Sequence, residues 1–190
     1  MPLRFAALIL ASLALAGCGA PSPTTGGKPA AAAPEIQWGE AVNGLQAGLT
    51  VKSPPAGPEA RATLLFTVRN AGQQPVKIMK VDKFGGCGYS APAMEVKSEG
   101  EARRWQGPQP SPLPLRKDFF VDLAPGAADS VEQLFYPELW GLKSPFKAQV
   151  GFTFAWDAAR IQTHEGTPTF VDGLWTGKAR SQPVQIEVAK

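Results

Sequence analysis

Few residues in this chain of 190 can do chemistry. It has one histidine, His164, and two cysteines, Cys18 and Cys87. A Ser-His-Asp triad has to use that histidine. The segment nearest to a nucleophile elbow, Gly88-Tyr89-Ser90-Ala91-Pro92, lacks the second glycine of G-x-S-x-G. Catalytic zinc takes three protein ligands, commonly two or three of them histidines, and this sequence cannot supply them. Thiolates and thioethers select Cu(I), which makes Cys87, Met79, Met94 and His164 the candidate soft-metal ligands, although no two stand at a motif spacing. Methionines in strands are more often core filler. Cys87 lies between Gly85-Gly86 and Gly88, in backbone free to take unusual angles. Its expected state is a small hydrophobe tucked into a tight turn, and the competing state is an open thiol able to hold copper. The acids are scattered: Asp118 and Asp122 flank one strand, and Asp157 and Asp172 bracket a loop, with no glycosidase pair in view. Of the five tryptophans, Trp156 alternates with core positions, while Trp105 and Trp140 fall near loops and are open to sugar stacking. The expectation is a protein that is not an enzyme and carries no cofactor.

The elements that must position these residues read as strands. Apolar residues alternate at Leu45-Ala47-Leu49-Val51, at Leu64-Phe66-Val68, and at Ala148-Val150-Phe152-Phe154-Trp156. Further strands are expected over 76–81, at Met94 and Val96, at Phe119-Val121-Leu123, over 131–136, and at Val184-Ile186-Val188. Asn70 to Pro75 and Pro125-Gly126 read as turns. The sequence shows no convincing helical stripe, and its 20 glycines and 19 prolines punctuate nearly every gap. The pattern predicts an all-β fold, an antiparallel two-sheet sandwich of about 7–9 strands. Two loops are long, 98–117 and 157–173, a length associated with function or disorder. The basic pairs Arg103-Arg104 and Arg116-Lys117 stand among prolines and read as solvated loop residues.

The N-terminus has its own pattern. Met1 to Arg4 carries one positive charge, and Phe5 to Leu15 is an apolar run of signal-peptide length, too short for a spanning helix of roughly 20 residues. It ends in Leu15-Ala16-Gly17-Cys18, which resembles the lipobox of bacterial lipoproteins: an aliphatic residue, two small residues and an acceptor cysteine. The expected division is a signal peptide over 1–17, a lipidated tether over 18–34 and a β-sandwich over 35–190. Two or three acyl chains, palmitate among them, anchor where one holds only marginally. Gly19, where an aspartate would mark inner-membrane retention, points to the outer membrane facing the periplasm. The tether, Gly19 to Pro34, offers nothing to bury and extends to at most about 50 Å. Lipidation of Cys18 leaves Cys87 without an intramolecular partner, so no disulfide is expected to hold the domain. The formal charge is +3, and loss of Arg4 with the leader lowers it by one, too near neutral for a nucleic-acid partner.

Trp38-Gly39-Glu40-Ala41-Val42-Asn43-Gly44-Leu45-Gln46-Ala47-Gly48-Leu49 resembles the opening of the mature domain in a group of bacterial envelope lipoproteins. Phe66-Thr67-Val68-Arg69-Asn70-Ala71-Gly72 is similar to their strand-Asn-turn signature, and Leu123-Ala124-Pro125-Gly126 and Trp175-Thr176-Gly177 through Ser181-Gln182-Pro183-Val184 also resemble segments of that group. The resemblance spans about residues 36–188 through short motifs. It implies an immunoglobulin-like sandwich, supplies no active-site residue, and suits a non-catalytic binding or structural module with a protein partner in the envelope. The competing classes are a periplasmic copper-binding protein using Cys87 and an enzyme with a site built from the two long loops.

Overall fold

The computed structural model describes residues 35–57, 61–84, 94–108, 116–156 and 172–189, all within the unit Ala33–Lys190. The first sheet follows directly from the alternation. Strand β2 (Leu45–Ser53) pairs antiparallel with β3 (Ala62–Asn70), placing Leu49 opposite Phe66 and Ala47 opposite Val68. On its outer side β2 carries the two-residue strand β1 (Gln37–Trp38). The chain returns from β1 to β2 through Asn43-Gly44, both at positive φ, with Val42 and Leu45 exchanging backbone hydrogen bonds of 2.8 and 2.9 Å. Paired positive φ at Asn-Gly is the signature of a type I′ hairpin turn.

After β3 the chain forms β4 (Val76–Met79) and one short helix, α1 (Val81–Phe84). The strand expected over 76–81 therefore stops two residues early. Lys80 leaves it to bond Phe119 O, and Val81 N donates to Asp129 Oδ2 at 2.7 Å, which turns the chain into the helix. Strands β5 (Met94–Ser98) and β6 (Glu101–Arg103) then make a tight hairpin through Glu99-Gly100, again both at positive φ. The expected loop over 98–117 thus begins as ordered sheet, with a glutamate in place of the usual Asn or Asp of such a turn. A single 3-10 turn, Lys117–Phe119, leads into β7 (Phe120–Leu123), which pairs with β4. The Pro125-Gly126 turn reads as expected, with Ala127 N bonded to Ala124 O and Gly126 at positive φ.

Strand β8 (Ala128–Phe135) pairs with β3 along its whole length and completes the first sheet in the order β1-β2-β3-β8. The second sheet is built on β9 (Phe146–Trp156), the longest strand, in which every inward residue from Ala148 to Trp156 is buried. One edge of β9 takes β5, and the other takes β10 (Gly177–Arg180) and β11 (Val184–Val188) in succession. The sheets face one another, with β2 over β9, β10 and β11 and the rings of Phe66 and Phe152 only 4.8 Å apart at the centre. The described residues form an antiparallel, sandwich-like all-β fold. Its core joins Leu45, Leu49, Leu64 and Phe66 to Val150, Phe152, Phe154 and Ile186. At the β1 side the layers touch backbone to backbone: a Cβ on Gly39 would lie 1.5 Å from the Arg180 carbonyl oxygen.

Candidate binding surface

The outward face of the second sheet carries a cluster of charged and hydrogen-bonding side chains from three strands. Since β9 points Ala148, Val150, Phe152 and Phe154 inward, Lys147, Gln149, Gly151 and Thr153 face solvent. Glu95 on β5 sits opposite Gly151, and the absence of a side chain there leaves room for cross-face contacts. Thr153 Oγ1 donates to Glu95 Oε1 at 2.7 Å, and Arg180 Nε and Lys178 Nζ on β10 approach the same oxygen at 3.4 and 3.9 Å. The Thr153 hydrogen bond, and then the Arg180 and Lys178 charges, hold the Glu95 carboxyl below its ordinary range against an opposing effect of partial burial. An ionised carboxylate so placed is a poor proton donor near neutral pH. It is well suited to pairing with charged and hydrogen-bonding groups of another molecule.

Towards the start of β9 the same face sinks into an open groove of about 630 Å³, lined by Lys97, Phe146, Lys147, Gln149, Gln185 and Glu187. The Glu99-Gly100 hairpin turn forms part of its rim. Lys147 and Glu187 pair across β9 and β11 at 3.6 Å, with both side chains more than half exposed. Surface pairs of this kind add little stability, roughly 0–1 kcal/mol each. They leave charge of both signs available for contact.

No protein-family model matches the chain, and no curated protein matches it either. The surface is therefore read from its own chemistry.

The residues singled out in the sequence fall in different places. Met79 is buried and Met94 packs partly buried against the core, as filler methionines do. Cys18, Cys87, Asp157 and His164 lie outside the described residues, and among the described residues no three His, Cys, Asp or Glu side chains group as a metal site. Asp118 belongs to the 3-10 turn and pairs with Arg116 at 3.0 Å, while Asp122 lies on β7 opposite Lys77. Asp172 accepts a hydrogen bond from Lys77 Nζ through its backbone carbonyl. Trp140 is buried and Trp105 packs edge-on against it at 5.3 Å, so this pair reads as core and not as an open sugar platform. Trp156 is buried as its alternation predicts. Trp38, half-buried on the other sheet, has its ring covered by the Arg69 guanidinium at 4.1 Å. Arg103 lies on β6 near Glu99 at 3.6 Å, and Arg104 is exposed.

The Glu95-Thr153-Lys178-Arg180 cluster was not visible in the sequence. Two of its strands were readable from alternation, but β10 is a four-residue strand with only Ala179 buried. Its register against β9 could not be read from its own residues.

Proposed function

We propose that this chain is a lipid-anchored envelope protein whose sandwich domain is a non-catalytic module that binds another protein. The order of strand pairing carries the structural part of this reading. β2-β3-β8 and (β10, β11)-β9-β5-β6 correspond in chain order and partnership to strands A-B-E and G-F-C-C′ of an immunoglobulin-like domain. β7, in the position of strand D, pairs with β4 instead. The Phe66–Phe152 contact joins β3 to β9, the strands that a disulfide links in antibody domains. Such sandwiches present faces, edges and end loops to partners, and fold alone assigns no activity. The lipobox-like Leu15-Ala16-Gly17-Cys18 supports the anchor, and the mixed-charge face around Glu95 and its groove suits a polar protein contact.

The test is site-specific photo-crosslinking in intact cells, with the crosslinker at Lys97, Gln149 or Gln185. One discrete adduct, of the same mass from all three sites, supports the module. No adduct from any site on this face, in cells where Cys18 is lipidated, removes the face from the reading.

A further inference from the structure

We infer that the edge of β8, unpaired among the described residues, accepts an extended peptide segment of a partner as an added strand, one bearing a cationic and an apolar side chain two residues apart. This deepens the protein-binding reading and rests on it. Among the described residues the sheet edges differ in kind. β1 is two residues long, β6 is three, and the β10–β11 edge is interrupted at Ser181-Gln182-Pro183. Short strands, prolines, lysines and bulges are the usual devices that keep sheet edges from pairing. β8 is protected at one end alone, by α1 and the inward-facing Asp129: its eight residues include no Pro, Gly or Lys, and its ladder with β3 runs from Ala62–Phe135 to Arg69–Ala128 without a register shift.

At its first residues β8 is occupied by α1, through the bond from Val81 N to Asp129. Beyond that point Ser130, Glu132, Gln133 and Leu134 are exposed. Leu134, 43 % exposed, is the one exposed large hydrophobic side chain among the described residues. Glu132 and Leu134 project from the same outward face, since Val131 and Phe135 point to the core. The charged residues of β8 are both acids, Asp129 and Glu132. Glu132 remains half exposed although Lys52 reaches it from β2. An incoming strand gains main-chain hydrogen bonds along the edge, and its side chains opposite Glu132 and Leu134 lie on one face at alternate positions. A lysine or arginine meets the first, and a valine, isoleucine or leucine meets the second.

Amide hydrogen exchange on the full chain tests this, with a synthetic probe of sequence Thr-Lys-Thr-Val-Thr-Lys-Thr-Val. Without probe, every second amide between Ser130 and Phe135 should exchange freely. With saturating probe these amides should slow by about tenfold or more, as expected for newly paired strand groups. Glu132→Gln and Leu134→Lys should each weaken binding by about two- to fivefold, the size of one cross-strand pair, while the melting temperature of the free chain changes by no more than loss of one exposed pair allows. Complete protection of these amides in the free chain overturns the inference, because the edge is then already covered. So does unchanged exchange with the probe, or equal protection by a control peptide with glutamate replacing lysine. A crosslinked partner on the Glu95 face, with no probe binding at β8, ends this inference and leaves the broader reading standing.

Discussion

Asn70 shows how one side chain can hold a corner of the fold. It is fully buried at the end of β3, where its Nδ2 donates to the carbonyls of Gln74 and Leu123 and its Oδ1 accepts from Gly72 N. Its own backbone adds bonds to Ala127 and Gly126, so the turn after β3 and the turn after β7 are fastened together. Asn70→Ala leaves the buried Leu123 carbonyl without this partner and frees Gln74 O and Gly72 N, and should cost about 1–3 kcal/mol in denaturant melts. Glu95 acts at the surface and more weakly. Its pKa is lowered in the folded state, so its contribution is complete above the ordinary glutamate value of about 4.3 and disappears as pH falls through the lower folded value. Its side chain is half exposed, which keeps that contribution within the surface-pair range. Glu95→Gln should therefore lower stability near pH 7 by about 1 kcal/mol or less and leave it unchanged at the acid end, which flattens the acid limb of the stability–pH curve. Unchanged steepness between pH 5 and pH 3 would show that the cluster is not formed in solution. Asn70 was readable as the end of a strand and the start of a turn, since asparagine tolerates such positions. Its reach to Leu123, 53 residues on, was not, because the sequence gives no register between the β3 and β7 corners.

At the scale of elements, the strands with alternating or clustered apolar residues were legible, β4, β5, β7 and β8 among them, and three short ones were missed. β2, β3, β9 and β11 announce themselves by period-two alternation because each packs a single face on the core. β1, β6 and β10 are two to four residues long and too short for any period to show. Asn43-Gly44 was the available signal for the β1–β2 hairpin, and Glu99-Gly100 is a weaker version of the same chemistry. The central pair sets the energetics of the sandwich. Phe152→Ala removes a fully buried ring in contact with Phe66 and should lower stability by about 3–5 kcal/mol, measured by chemical denaturation. On the opposite face of β2, a Cβ at Gly48 would lie 2.6 Å from the Trp38 ring and from Ile36. Gly48→Ala should cost about 1–3 kcal/mol by overpacking. Combining it with Trp38→Leu should cost less than the sum of the two single changes, since the part of the clash made by the indole is relieved while that with Ile36 stays.

At the scale of the whole molecule, the anchor makes the sharpest prediction. Cys18→Ala should leave a precursor of full length and abolish incorporation of labelled palmitate, and undiminished labelling would end the lipoprotein reading. Among the described residues the sandwich holds 27 buried hydrophobic side chains. The fastening between its two layers is the Phe66–Phe152 stack and the apolar contacts around it. A joint of that kind is indifferent to the redox state of its surroundings and answers instead to temperature and solvent, weakening on cooling and in urea as apolar contacts do.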